Sequence, residues 1–85
     1  DVLRRYGRFQ DSIDELKRAI SLDPQNAFFH FKLSETLLEA GYAKEALLSA
    51  MQAVLNSPED AFYHYWTGDL QIRLERFDEA LESFK

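Results

Sequence analysis

Pro24 and Pro58 stand 34 residues apart, and the sequence around each repeats at that same offset. Ala19-Ile20-Ser21-Leu22-Asp23-Pro24 corresponds to Ala53-Val54-Leu55-Asn56-Ser57-Pro58, and Phe28-Phe29-His30-Phe31 to Phe62-Tyr63-His64-Tyr65. Glu45-Ala46-Leu47 corresponds to Glu79-Ala80-Leu81, and Gly7 to Gly41. A fixed period of roughly 20–50 residues marks a stacked-repeat architecture, in which each unit buries its apolar face only against its neighbours. This constraint limits the chain to a repeat scaffold and points to a binding role. It names no partner.

Used as a ruler, the period divides the chain into residues 1–26, 27–60 and 61–85. Only 27–60 is a complete unit; the first lacks its opening residues and the third stops partway through its second helix. Neither end carries a dedicated polar cap. Phe77, Leu81 and Phe84 would form an apolar stripe with no following helix to cover it, so the chain reads as a segment of a longer array.

Each unit reads as two helices. In the complete unit Phe29, Leu33, Leu37 and Ala40 share one face, while Phe28, Phe31 and Leu38 mark a second. A helix apolar on two sides has neighbours on two sides. The second helix carries Ala43, Ala46, Leu47, Ala50, Ala53 and Val54, a small-residue face that a neighbouring helix can approach closely. Phe9, Ile13, Leu16 and Ile20 form the matching stripe in the first unit, as do Phe77, Ala80, Leu81 and Phe84 in the third. Gly41 is placed to end the first helix of its unit. Asp23 and Ser57 are expected N-caps, each followed by a proline suited to a first helical turn. Glu75 stands where the other units have Gly7 and Gly41. A left-handed conformation costs a residue with a Cβ about 1 kcal/mol, so the third turn is expected to differ.

Composition removes several function classes. An 85-residue chain is at most one small domain, and it carries a net charge of −5. Residues 1–26 hold five basic and five acidic side chains, 27–60 hold two and five, and 61–85 hold three and five. That balance argues against nucleic acid, which requires a basic stripe, and against anionic lipid surfaces. It favours apolar or basic partner segments. No apolar run approaches the ~18 residues of a membrane span, and no signal-peptide pattern is present. The absence of cysteine excludes disulfides and thiolate metal sites but leaves the compartment open.

The residues quoted above resemble the tetratricopeptide repeat, whose helix-turn-helix units are 34 residues long. The resemblance covers essentially the whole chain. Ala46 and Ala80 match the small residue of the second helix, with Ser12 as a polar stand-in, and Ala19 and Ala53 match its second alanine. Gly68, and less closely Ser34, match the small residue of the first helix that receives it. Leu33 and Leu37 match that helix's packing positions, and Pro24 and Pro58 the closing proline. There are departures. His30 and His64 stand where the family prefers tryptophan, Thr67 and Gln71 replace apolar packing residues, and Ala50 is unusually small.

The resemblance implies an all-α, right-handed superhelical solenoid of antiparallel helical hairpins. The first helix of each unit would line a concave groove holding a peptide or helix of a partner. The implied groove residues are Phe28, Phe31, Glu35, Leu38, Phe62, Tyr65, Trp66, Asp69, Ile72 and Arg73, flanked by Arg4, Arg5, Lys32 and Glu39. Tyrosine and tryptophan are amphipathic anchors of the kind enriched at binding hot spots. Phe31 and Tyr65 have a competing use, holding neighbouring units together, and Trp66 has another, folding back over Thr67. Some members of the family grip the C-terminal carboxylate of chaperones with lysines and asparagines. Here Phe31, Tyr65, Glu35 and Asp69 occupy those places, and two acids would repel a carboxylate, so no such binding is expected.

No catalytic constellation is recognisable, and none of cofactor, metal or enzymatic activity is expected within this segment. Ser12, Ser34 and Ser49 have no adjacent base in a known motif, and there is no phosphate-cradling glycine loop. His30 and His64 read as packing residues, since zinc needs further ligands that the chain does not place beside them. The leading expectation is therefore a protein-interaction scaffold. The alternative is a structural spacer or self-association module assembling through the open repeat ends and the exposed terminal helix. A regulatory segment of a larger enzyme is a third class, resting only on how often such repeats are fused to catalytic domains.

Overall fold

The computed structural model describes the backbone of residues 2–83 and the side chains of residues 8–75. Four helices account for nearly all of it: α1 (Val2–Leu22), α2 (Ala27–Glu39), α3 (Ala43–Asn56) and α4 (Ala61–Ser83). Each packs on the next in chain order, and no strand is present among the described residues. The molecule measures 44 × 37 × 16 Å. The short dimension holds two layers of helices packed about 8–10 Å apart, so each helix keeps a face toward solvent.

The core is correspondingly thin. Ile13 of α1, Leu33 and Leu37 of α2, Ala46 and Ala50 of α3 and Leu70 of α4 form one buried cluster. Leu16, Ile20, Leu38, Leu47 and Trp66 pack around it. The expected stripes of α1 and α2 both point into this cluster. On α3 the alanine face, Ala46, Ala50 and Ala53, is fully covered. With no bulk beyond Cβ on that face, α3 closes tightly against its neighbours.

One polar group sits inside this packing. Ser34 of α2 has no exposed surface. Its hydroxyl donates to the Ala46 carbonyl of α3 at 2.6 Å and accepts from Trp66 Nε1 of α4 at 2.8 Å. Three helices meet at one satisfied oxygen, which escapes the penalty for burying an unpaired hydroxyl. Among the described residues no buried side-chain nitrogen or oxygen lacks a partner.

The turn between α2 and α3 follows the expectation for Gly41. Its φ is +94°, the Tyr42 N–H bonds the Leu37 carbonyl at 2.8 Å, and the Gly41 N–H bonds the Leu38 carbonyl at 3.1 Å. This pair of bonds is the Schellman motif, which satisfies carbonyls orphaned at the helix end. The expected breaks in the outer units are not present. α1 runs unbroken through Gly7 and α4 through Glu75. Glycine permits a left-handed residue without compelling one, and Glu75, having a Cβ, is better accommodated in a continuing helix. The side chains of Phe77, Leu81 and Phe84 lie outside the described residues.

The connections between units also correct an expectation. Asp23 and Ser57 do not cap the helices that follow. Each opens a reverse turn, with the Asn26 N–H bonding the Asp23 carbonyl and the Asp60 N–H bonding the Ser57 carbonyl, both at 3.1 Å. The prolines therefore occupy the second turn position, where their fixed φ is equally suitable. Capping falls to Asn26, whose side-chain oxygen accepts from the Phe28 and Phe29 N–H groups, and to Asp60, which accepts from Phe62 N–H.

Each turn is then clasped by the histidine of the next helix. His30 Nε2 lies 2.9 Å from the Pro24 carbonyl and His64 Nε2 lies 2.7 Å from the Pro58 carbonyl. A carbonyl only accepts, so Nε2 carries the proton in both rings. The bond recurs at the repeat offset, which accounts for histidine where the resemblance leads one to expect tryptophan.

Three outcomes follow for urea unfolding. Gly41→Ala should cost about 1–2 kcal/mol, while Gly7→Ala, in a helix interior, should stabilise by up to about 1 kcal/mol. Ser34→Ala, which removes both bonds of the buried hydroxyl, should cost about 1–3 kcal/mol, and adding Trp66→Phe should bring non-additive losses in a double-mutant cycle. His30→Phe keeps an aromatic ring but removes the clasp, and should cost about 1 kcal/mol. The same change at the exposed His64 should cost less.

Candidate functional site

The ten residues expected to line a groove divide by what surrounds them. Phe31 is buried at 8% exposure. Its ring meets Phe62 at 5.2 Å, Trp66 at 5.4 Å and Tyr63 at 5.6 Å between centroids, the first two edge-on. These are the geometries that the ring quadrupole favours, and they tie α2 to α4 across the repeat boundary. Phe31 thus serves the contact between units rather than an open surface. Trp66 is partly buried and reaches back to Ser34, not over Thr67, whose hydroxyl instead bonds the Tyr63 carbonyl at 2.8 Å. Leu38 is half-buried against the core.

The remaining large side chains are open. Phe28 is 54% exposed, Phe62 53%, Tyr65 73% and Ile72 51%. On α4, Phe62, Tyr65, Asp69 and Ile72 recur at helical spacing along one face. Phe28 holds on α2 the place that Phe62 holds on α4, one period away.

The charged members are paired within their own helices. Lys32 Nζ contacts Glu35 Oε1 at 2.9 Å, and Arg73 Nε contacts Asp69 Oδ2 at 3.1 Å. Lys32 also stands 6.0 Å from the centre of the Phe28 ring. Both pairs are partly solvated, so each contributes little to stability. The Arg4 and Arg5 side chains lie outside the described residues. Glu39 is exposed at the end of α2.

A second apolar surface was not read from the sequence. Leu48, Met51 and Leu55 of α3 are 63%, 44% and 71% exposed. Beside the latter two, a cleft of about 360 Å³ opens between α3 and α4, lined by Met51, Val54, Leu55, His64, Thr67 and Gly68 among others. The spacing of 48, 51 and 55 was the available signal. These residues fall off the alanine face, at positions an isolated helix would leave polar.

His30 and His64 commit Nε2 to proline carbonyls. Among the described residues no three His, Asp or Glu side chains converge as metal ligands, and no helix is long and apolar enough to cross a membrane.

Comparison with known proteins agrees with the architecture. A family model described as tetratricopeptide repeat matches residues 1–61. Among curated proteins, the TPR repeat-containing thioredoxin TTL4 of Arabidopsis thaliana is 29% identical over 80 residues, spanning 94% of this chain and 12% of that protein. No solved structure matches. Such repeats generally mediate protein–protein interaction and are typically non-enzymatic. Stacked helices at a 34-residue period and a family match over residues 1–61 of 85 lead to one conclusion: the chain belongs to the tetratricopeptide repeat family.

Proposed function

We propose that the chain is a protein-interaction scaffold that holds a peptide or helix of a partner along the first helices of its units. On this reading 1–26, 27–60 and 61–85 are successive parts of one tetratricopeptide domain. The observation that carries it is the set Phe28, Phe62, Tyr65 and Ile72, all at least half exposed on α2 and α4. Large apolar side chains gathered on one exposed face mark an interaction surface far more often than scattered ones do.

The chemistry of the partner follows from the surface. Phe28 and Phe62 are rigid apolar anchors, and Tyr65 adds a hydroxyl at the rim. Glu35 and Asp69 sit beside them, in units carrying net charges of −3 and −2 from two basic and five acidic, and three and five, side chains. An apolar segment with flanking basic residues suits this face, with charge acting mainly on the rate of encounter. Phe31 and Trp66 serve the site from beneath, fixing the angle between α2 and α4.

The test begins with affinity capture and mass spectrometry, followed by synthesis of the captured segment as a labelled peptide. Phe62→Ala/Tyr65→Ala, with helicity checked by circular dichroism, should weaken peptide binding at least tenfold, or about 1.4 kcal/mol. Leu48→Ala, on α3 and off this face, should leave affinity unchanged. Higher salt should slow association with a basic segment more than it speeds dissociation. Equal affinity of the double variant, or loss through Leu48→Ala, would overturn the reading.

A further inference from the structure

The two turns that join the units are built alike but charged differently. In the first, Asp23 opens the turn and Asn26 closes it, and the Asn26 Nδ2 amide donates to Asp23 Oδ2 at 3.2 Å. An acid at the first position thus has a donor at the fourth. One period later the first position is Ser57 and the fourth is Asp60. A hydroxyl stands in the acid's place, and an acid stands in the donor's.

The setting of that hydroxyl suits an enzyme that modifies it. Ser57 is partly exposed, and Pro58, Glu59 and Asp60 after it are exposed. Ser57 has already left the helix, with φ −144° and ψ 67°, so α3 need not unwind to present it. Capping of α4 falls to Asp60, which leaves the Ser57 hydroxyl without that task. Proline has no N–H, so an enzyme gripping Ser57 need not supply an acceptor at the next residue. Of the chain's two prolines, only Pro58 follows a hydroxyl-bearing residue.

We propose that Ser57 is phosphorylated by a proline-directed protein kinase, and that the phosphate loosens the boundary between α3 and α4. The γ-phosphoryl group of a nucleoside triphosphate passes to Ser57 Oγ. The Oγ–P bond forms, the bond from the γ-phosphorus to its bridging oxygen breaks, and the nucleoside diphosphate leaves. The hydroxyl proton passes through the kinase's base to solvent. The product carries about two negative charges at the C-terminal end of α3, where the helix dipole disfavours an anion. A reverse turn holds its first and fourth Cα atoms within about 7 Å, which brings the phosphate close to the Asp60 carboxylate. The sequence has no lysine or arginine between Lys44 and Arg73, and His64 commits Nε2 to the Pro58 carbonyl. Repulsion therefore falls on Asp60, whose Oδ1 accepts from the Phe62 N–H at 2.9 Å. The first turn of α4 frays, and the contact of Phe62 on Phe31 loosens with it. A weaker hold on a partner follows as well, a step that rests on the groove reading proposed above.

The test needs no partner. The 85-residue chain, incubated with magnesium ATP and a proline-directed serine kinase, should take up one phosphate, mapped by mass spectrometry to Ser57. Ser57→Ala should take up none. A synthetic peptide of residues 51–65 controls for access. If the peptide is modified and the chain is not, the folded turn is closed to the kinase. If neither is modified, the segment is no substrate, and either result overturns the proposal. At pH 8, where the phosphate is doubly ionised, the phosphorylated chain should melt about 4–8 °C lower by circular dichroism. Its Phe62 amide should exchange with solvent about fivefold faster. Asp60→Asn supplies the donor that Asn26 supplies in the first turn, and should remove most of the melting loss. An unchanged or raised melting temperature, unchanged exchange at Phe62, or an equal loss in Asp60→Asn would overturn the loosening. Should Asp60→Asn fail to fold, exchange at Phe62 in the unsubstituted chain still decides. None of these readouts involves the groove, whose own test is the loss of peptide binding in Phe62→Ala/Tyr65→Ala.

Discussion

The hydroxyl of Ser34 is a fully buried polar group on which three helices converge. It can occupy that place only because Ala46 brings α3 close enough for a 2.6 Å bond and because Trp66 of α4 supplies a donor for the remaining lone pair. Each partner is a condition on the others. A larger residue at 46 would push α3 outward and break the contact. Without the indole, the oxygen would keep one bond but lose the tie to α4. A buried network of this kind fixes a geometry more than it adds stability, since both ends must be in register before either is satisfied. The angle between neighbouring units, and so the spacing of Phe28 and Phe62, is set at this point.

The aromatic contact at Phe31 works with it. Edge-on packing of Phe31 against Phe62 and Trp66 holds the near ends of α2 and α4 together while leaving half of the Phe62 ring open. Phe62 thus belongs to both the scaffold and the surface. A partner that stacks on its outer face would meet a ring already fixed from behind, so little further side-chain entropy is lost on binding.

Much of this was legible in the sequence, because the strongest signals were either long in period or strictly local. The 34-residue offset located the breaks between units and the helices α2 and α3 of the complete one. Gly41 identified its turn because a positive φ is a property of one residue. Other features depended on competition that a sequence does not resolve. Asp23 and Asn26 are both good capping residues, and a proline after Asp23 fits a helix start or a turn equally well; the choice fell to Asn26 once Asp23 closed the turn. Glu75 was recognisably a poor turn residue, but that it gives no turn at all depends on the helix continuing through it. Phe28 and Phe31 share a helix face, and only the arrival of α4 separated the exposed ring from the buried one. The α3–α4 cleft was invisible for the same reason, since it is defined by a helix that does not turn back.

Electrostatics sharpens what the open face can select. Glu35 and Asp69 are the acids among the expected groove residues, yet each is already engaged by a cation on its own helix, Lys32 and Arg73. Such partly solvated pairs contribute at most about 1 kcal/mol, so an incoming arginine can displace the resident cation at small cost. The exchange returns one ion pair for another, and its net contribution to affinity is slight. On the proposed reading, discrimination among partners rests on their apolar contact with Phe28 and Phe62 more than on charge. On the same reading, the acidic balance of the two units acts on how often a basic segment arrives.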